Sequence, residues 1–305
     1  MSDKHLGRGD TAVITGAGSG FGLELARLCA QRGMNIVAAD VQADALQRAE
    51  QELAALGAAV LPCKLDVSAA AEVEKMRDAA LERFGVPHLV FNNAGVGAGG
   101  LIWEHTLADW QWVIGVNVMG VAHGVCVFTP PMLEAAARDG GYEGHIVNTA
   151  SMAGLVNPPN MGVYNVSKHA VVSLSETLYQ DLALVTDRVR AHVLCPFFVP
   201  TGIGQSGRNR PQALRNPTDK PTPSQLVAQA MTDKAVGSGK VSAAMVAQFV
   251  LDAVRDDRFY IYSHPKALGS VQVRMEDVLQ QRNPSDPLKD APEMAQVLRA
   301  ALRAR

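Results

Sequence analysis

Short β-branched runs alternate with longer amphipathic stretches along most of the chain. Thr11–Thr15 and Asn35–Asp40 are such runs, as are Ala59–Leu65, His88–Phe91, Ile146–Thr149, Val189–Cys195 and Phe259–Tyr262. A short apolar run without polar alternation predicts a strand buried on both faces. Between the runs, apolar residues recur at helical spacing over Leu23–Arg32, Gln42–Leu56, about Ala69–Phe84, and from the Tyr164 region to Val185. Ser242 stands as a cap before a helix to Arg255. Strands alternating with helices predict an α/β fold: a doubly wound parallel sheet of about seven strands, Rossmann-type, with right-handed crossovers. Pro62 weakens the third strand, since proline cannot donate to a central ladder.

Three stretches depart from this rhythm. Val113–Val127 is apolar except for Asn117 and His123, and is too short for the roughly 20 residues of a membrane span. It predicts a core helix, preceded by Trp103–Trp112. Residues 202–240 carry four prolines and one helical stretch, Ser224–Ala235. So long an insertion predicts a lid or a mobile segment. Residues 264–305 hold two further helices, about Pro265–Gln281 and Pro292–Arg303. Without internal repeats or a low-complexity linker, the expected organisation is one domain over 1–263, lid included, with 264–305 as its helical extension.

Composition adds exclusions. Net charge is −2 and no basic cluster occurs, so neither nucleic acid nor an anionic membrane is an expected partner. The start of the chain is polar and lacks the apolar centre of a signal peptide. Cys29, Cys63, Cys126 and Cys195 lack metal or redox spacing and predict buried thiols in a reducing cytoplasm. No metal site is expected.

The chemistry concentrates in two places. The first strand runs into Gly16-Ala-Gly-Ser-Gly-Phe-Gly22 and then a helix. Glycines admit a pyrophosphate close to the backbone, and the helix start offers free N–H groups. The strict G-x-G-x-x-G spacing is absent; Thr-Gly-x-x-x-Gly-x-Gly stands instead. Asp40, at the end of the second strand, suits the adenosine ribose hydroxyls of NAD and repels the 2′-phosphate of NADP; a cap on the next helix is its alternative role. Asn92 and Asn93 end the fourth strand, where they either meet a ligand or stabilise the turn.

The second place is Tyr164-Asn-Val-Ser-Lys168. Four residues apart on a helix, phenol and ammonium share a face, with Cβ atoms roughly 5–6 Å apart. A nearby ammonium favours phenolate and draws the phenol toward working pH. Such a tyrosine can exchange a proton with a substrate oxygen, and Ser151, thirteen residues earlier, can donate to the same oxygen. Alone, Tyr-x-x-x-Lys is equally a surface pair. Asn117, an amide in an apolar run, needs a buried partner or holds a water or a bend beside the pair. Met152, Met161, Trp103 and the 202–240 segment are candidates for an apolar pocket, and His145 and His169 are read as structural.

Taken together, Thr15 through Gly22, Asp66, Asn92 through Gly95, Asn117, Ser151, Tyr164, Lys168 and Pro196 through Thr201 resemble the short-chain dehydrogenase/reductase family over residues 8–263. The resemblance implies a catalytic tetrad of Asn117, Ser151, Tyr164 and Lys168. It implies cofactor contacts from Gly16, Gly18, Ser19, Gly20, Phe21 and Gly22, then Asp40, Asp66 and Val67. Asn93, Ala94 and Gly95 would support the cofactor, with Tyr164 and Lys168 at its ribose and Pro196, Phe197, Val199 and Thr201 near the nicotinamide. It also implies a homodimer or homotetramer built through the helices carrying Asn117 and Tyr164. The expected activity is NAD-dependent interconversion of a secondary alcohol and a ketone. Ketone reduction with NADPH, or NAD sensing without turnover, are the alternatives. Phe197 stands where the family has glycine, so its ring either enters beside the nicotinamide or turns into the core. The long lid and extension are similar to bacterial members acting on bulky alcohols, including the Cα-dehydrogenases of lignin-derived aryl ethers.

Overall fold

A computed structural model of the chain describes residues 6–216, 220–289 and 292–303. Seven strands form one parallel sheet: β1 Thr11–Thr15, β2 Asn35–Asp40, β3 Val60–Lys64, β4 Leu89–Asn92, β5 Gly144–Thr149, β6 Val189–Cys195 and β7 Tyr260–Tyr262. Their order is β3-β2-β1-β4-β5-β6-β7. The order reverses between β1 and β4, which opens a crevice at the carboxyl ends of the strands.

Alternate residues of each strand feed two cores. Ala12, Ile14, Ile36 and Ala38 point to one face, covered by α1 (Gly20–Gln31), α2 (Ala43–Ala55) and α8 (Ala243–Arg255). Val13, Val37, Ala39 and Val90 point to the other, under α3 (Ala70–Phe84), α5 (Gly120–Arg138) and α6 (Gly162–Val185). Burial on both faces is why these runs lack polar alternation. Pro62 is tolerated because β3 is an edge strand, paired on one side only, with Ala38 opposite the proline.

The apolar stretch is not one regular helix. α4 (Leu107–Ile114) runs into a π-helical turn over Gly115–Met119 and continues as α5. Asn117 sits in that turn, fully buried. Its Oδ1 accepts the Val96 N–H at 2.8 Å, while Nδ2 donates to Val96 O and Ser167 Oγ, each at 3.0 Å. Residues 107–138 are long and apolar enough to cross a membrane by length and composition, with 44% of their apolar window buried inside the protein.

In the 202–240 segment, α7 spans Pro223–Gly237, preceded by 3₁₀ turns at Gly202–Asn209 and Gln212–Leu214. A Thr222–Gln225 capping box starts α7 with Pro223 in its first turn, so this helix begins one residue before the expected Ser224. In the tail, a 3₁₀ turn at Pro265–Ala267 leads into α9 (Leu268–Leu279), and α10 spans Pro292–Arg303. Two cysteines differ from expectation. Cys29 and Cys195 are buried, but Cys63 is half-buried on the edge strand and Cys126 is exposed on the outer side of α5.

Candidate active site

A cavity of about 2600 Å³ lies over the carboxyl ends of the strands. Gly16, Ser19, Gly20 and Phe21 line one end, followed by Asp40, Asp66 and Val67. Asn93, Ala94, Gly95, Ser151, Tyr164 and Lys168 line the middle, with Pro196, Phe197, Val199 and Thr201 across from them. All these predicted residues therefore meet around one space. Gly18, Gly22 and Asn117 do not line it.

Each of those three has a physical reason. The Gly18 N–H donates to Asp40 Oδ2 at 2.9 Å, tying the glycine turn to β2. Gly22 is buried where α1 leaves the turn, and a Cβ there would stand 2.1 Å from the Gly16 carbonyl oxygen. Its lack of a side chain lets helix and turn pack. Asn117 spends its amide on Val96 and Ser167, as described above. The amide oxygen also flanks the catalytic candidates: a Cβ on Gly95 would lie 3.4 Å from Asn117 Oδ1 and 3.5 Å from Lys168 Nζ.

Asp40 is not the cap of α2; Gln42 occupies the N-cap position. The carboxylate accepts the Gln42 N–H through Oδ1 and the Gly18 N–H through Oδ2, both at 2.9 Å. A carboxylate has about four lone-pair sites, so acceptor capacity is left facing the cavity. The two asparagines after β4 divide the roles. Asn92 is buried and donates to Asn148 Oδ1 at 2.9 Å, away from the cavity. Asn93 lines the cavity while its Nδ2 donates to Thr15 O and its Oδ1 accepts from Thr149 Oγ1, joining the ends of β1, β4 and β5.

Tyr164 and Lys168 lie in the first two turns of α6. Lys168 is 3% exposed, so this is no surface pair. Its Nζ donates to Thr149 O at 2.9 Å and lies 5.7 Å from the centre of the Tyr164 ring. Burial pulls the lysine down to about 8, against the Cys195 sulfur, which raises it. Burial also pushes the Tyr164 phenol up, and the Ser151 hydroxyl works against that. The expected lowering by the ammonium is not what dominates here. The ammonium is turned to the Thr149 carbonyl and is itself desolvated. Ser151 reaches the site because Gly154 lets its loop lie on α6: a Cβ there would meet the Lys168 carbonyl oxygen at 2.5 Å.

Phe197 turns neither fully in nor out. Its ring is 43% exposed on the cavity wall, 4.6 Å from the Phe198 ring and 5.9 Å from that of His264. Met152 and Met161 line the cavity as expected. Trp103 does not; it sits on a 3₁₀ turn and is 72% exposed. Trp112 takes that place from the inner face of α4, with the Arg210 guanidinium 5.2 Å above its ring. His145 and His192 stack within the sheet, with Nδ1 and Nε2 3.0 Å apart, and burial takes His145 down to about 3.

The roof of the cavity is pinned at three points that sequence reasoning missed. Ser206 Oγ accepts the Gly97 N–H at 3.0 Å. Ser224, at the start of α7, accepts the Leu101 N–H and donates to Glu104, and its carbonyl receives Asn160 Nδ2. Arg210 and Asn216 both bond to Asp109 Oδ1, at 2.5 and 3.2 Å. Burial works to raise the Asp109 carboxyl, but contacts from His105, the Thr106 N–H, Arg210 and Asn216 hold it well below the usual range. Only the Thr106–Asp109 capping box has a local signal in the sequence. The extension contributes Lys266, Arg274 and Leu298 to the cavity, and α10 packs against α7.

A doubly wound parallel sheet with a glycine turn at its switch point defines the dinucleotide-binding class of α/β proteins. Residues 10–212 match the model of the short chain dehydrogenase family, and the chain belongs to that family as an oxidoreductase. It is 54% identical to a short chain dehydrogenase/reductase from Burkholderia phymatum solved in complex with NAD, with a TM-score of 0.90 over 94% of this chain and 100% of that one. It is 33% identical to the CLA biosynthesis dehydrogenase/reductase of Lactiplantibacillus plantarum, over 91% of this chain and 96% of the relative. A C alpha-dehydrogenase of Sphingobium is 34% identical over 66% of this chain and 64% of its own length.

Proposed function

We propose that the protein interconverts a secondary alcohol and a ketone with NAD as cofactor. The observation that carries this reading is the meeting of Ser151, Tyr164 and Lys168 on one cavity wall, continuous with the glycine turn and Asp40. Bound NAD supplies a two-electron hydride acceptor or donor, which no side chain can. The residues present fit it. Asp40 keeps free acceptor sites for ribose hydroxyls, and among the described residues no Lys or Arg pairs with its carboxylate to receive a 2′-phosphate. Asp66 and Val67 would hold the adenine end, and Val199 and Thr201 the carboxamide end. Relatives and neighbours described with NAD or as alcohol-oxidising enzymes point the same way.

In this reading Ser151 donates to the substrate oxygen and fixes it near the phenol. Tyr164 removes the hydroxyl proton during oxidation and returns it during reduction. Lys168 supplies positive charge behind the phenol once a ribose hydroxyl competes for its ammonium, and Asn117 holds the helix open at its π turn. Met152, Met161, Trp112 and Phe197 favour a bulky apolar substrate.

Residues up to 263 act as one dinucleotide-binding domain in which 202–240 is the lid, and the extension closes the cavity from the same chain. A homodimer or homotetramer would cover Met119, Val166 and Leu184, which are exposed on the π turn and α6. Four free thiols among the described residues suit a cytoplasmic setting.

The test is titration of the purified protein with NADH and NADPH, followed by a panel of secondary alcohols with the tighter-binding cofactor. Preference for NADH with turnover of a bulky alcohol is the expected result. Preference for NADPH would overturn the role given to Asp40. Tight binding without turnover across the panel would overturn the enzymatic reading in favour of a sensor.

A further inference from the structure

One side of α9 forms part of the cavity wall. Gly269, Ser270, Val273, Arg274, Asp277 and Val278 line the cavity, recurring at the three- and four-residue steps of one helix face. Leu268 and Val271 turn instead to the buried cluster behind the helix. Arg274 is half-buried on the cavity face, near its border with that cluster. Its guanidinium takes part in no ion pair among the described residues. Asp277, one turn further on the same face, is the partner that helical spacing offers. Its carboxylate is engaged elsewhere: it accepts the Ser285 N–H at 2.8 Å and the Ser285 hydroxyl at 3.2 Å, and pairs with Arg282 at 3.0 Å. Arg274 keeps one long contact, from Nη1 to the Leu155 carbonyl oxygen at 3.4 Å. A guanidinium carries five N–H donors and no acceptor, so most of its donors are unspent.

The Leu155 contact sets this charge beside the Ser151 loop. Ser151 opens the 3₁₀ turn Met152–Gly154 and Leu155 closes it. At ~2 Å per residue, the positions of Ser151 and Leu155 are about 8 Å apart along the turn. Ser151, Met152, Ala153 and Val156 all line the cavity. An ordinary ligand pocket holds about 300–1,000 Å³. At about 2600 Å³ this cavity has room beyond a dinucleotide for a substrate that reaches from Ser151 to Arg274. Its acids are mostly neutralised there: Arg210 holds Asp109, Arg282 holds Asp277 and Arg299 holds Asp286, which leaves Glu293. Lys234 and Lys266 line the cavity without an ion-pair partner among the described residues.

We propose that Arg274 anchors a subsite for a carboxylate of the substrate, remote from the carbinol carbon that is oxidised at Ser151 and Tyr164. This rests on the dehydrogenase reading above and narrows its substrates to hydroxy acids with an apolar body. The chemistry of the guanidinium selects the group. Its planar fork matches the two oxygens of a carboxylate, and partial burial strengthens the attraction over one made in open water. A neutral hydroxyl would leave the charge unpaired, and an ammonium would meet like charge.

The experiment compares kcat/KM for matched probes with saturating NAD. The probes are 4-(1-hydroxyethyl)benzoate and 3-[4-(1-hydroxyethyl)phenyl]propanoate, the carboxamide of each, 4-(1-hydroxyethyl)benzylamine and 4-(1-hydroxyethyl)phenyl phosphate. At least one carboxylate should exceed its carboxamide by roughly tenfold or more, the order of a charge-assisted hydrogen bond. That ratio should fall toward one in Arg274→Met, through a raised KM for the carboxylate, and be partly kept in Arg274→Lys. Arg274→Gln keeps the test open where Arg274→Met does not fold. Equal treatment of carboxylate and carboxamide by an enzyme that oxidises both overturns the subsite and leaves the dehydrogenase reading standing. A carboxylate preference unchanged in the variants also overturns it, as does a parallel loss for both probes, which would assign Arg274 to holding α9 alone. Preference for the phosphate or ammonium probe overturns the choice of a carboxylate. No turnover of any probe with NAD bound overturns both readings.

Discussion

The floor of the cavity comes from the carboxyl ends of parallel strands, whereas its roof comes from the 202–240 segment and the helices α9 and α10. On the floor, side chains close strand to strand: Asn93 bonds to Thr15 and Thr149, Gly18 to Asp40, and Lys168 to the Thr149 carbonyl. Each partner belongs to an element buried on both faces. The roof touches the body through a few side-chain anchors, at Ser206, Ser224 and the Asp109–Arg210–Asn216 cluster. Opening it would break those bonds and part Leu214, Leu268 and Val271 from the buried clusters they pack against. In the function proposed above, the strand-to-strand floor would hold the cofactor and the proton-transfer residues, and the roof with fewer polar anchors would meet the substrate.

The strongest challenge to this division is Tyr164→Phe. Removing the phenol hydroxyl should lower kcat by about 10²–10⁴-fold while the Kd for NADH stays as it was. Steady-state rates and cofactor titration check both halves, and unchanged turnover would remove Tyr164 from the chemistry.

Two methyl groups then separate floor from roof. Gly22→Ala places a Cβ 2.1 Å from the Gly16 carbonyl oxygen, a contact of backbone with backbone that only a shift of α1 relieves. Overpacking of this kind costs about 1–3 kcal/mol, and urea melts should show it together with weakened NADH binding. Gly99→Ala places its Cβ 2.4 Å from the Ala228 Cβ of α7. Here the contact is with a side chain of α7 rather than with backbone. The expected result is a raised KM for the alcohol with NADH affinity and melting temperature little changed. Equal losses of stability in the two variants would erase the distinction.

The smallest effect comes from the amino ends of the same strands. Burial lowers His88, His145 and His192, with His145 down to about 3. A folded state that resists protonation binds fewer protons than the unfolded chain. The stability tied to these histidines is therefore complete above about pH 6.5 and is lost progressively as pH falls toward about 3. Thermal melts between pH 8 and 4 should show a decline that His145→Gln flattens, with the NADH preference untouched.

Much of this molecule was legible in its sequence. The strand runs, the helices between them, the glycine turn and the Ser151–Tyr164–Lys168 spacing all stand where local pattern places them. These features are set by short-range rules: burial on two faces erases alternation, and four residues of helix bring two side chains to one face. The glycine turn already shows the limit of such rules. A run of four glycines marks the turn, but only packing decides that Gly18 serves Asp40 and Gly22 serves the helix start. In the same way Asn92 and Asn93 are indistinguishable as neighbours, until alternate sides of a chain leaving β4 send one into the core and the other to the cavity.

Trp103 and Trp112 part for a similar reason, since the helix of the second begins only at Leu107. Farther out, the roof depends on pairs with no local signature. Arg210 meets Asp109 across 101 positions of sequence, and His105 meets Gly162, whose missing side chain gives the ring its space. The sequence by itself determined the sheet, the glycine turn and the spacing of Ser151, Tyr164 and Lys168, because backbone period and covalent spacing specify them. Tertiary structure alone decided how the 202–240 segment is pinned and which buried polar atoms are left unpaired, because those outcomes depend on the packing of elements that the chain brings together from far apart.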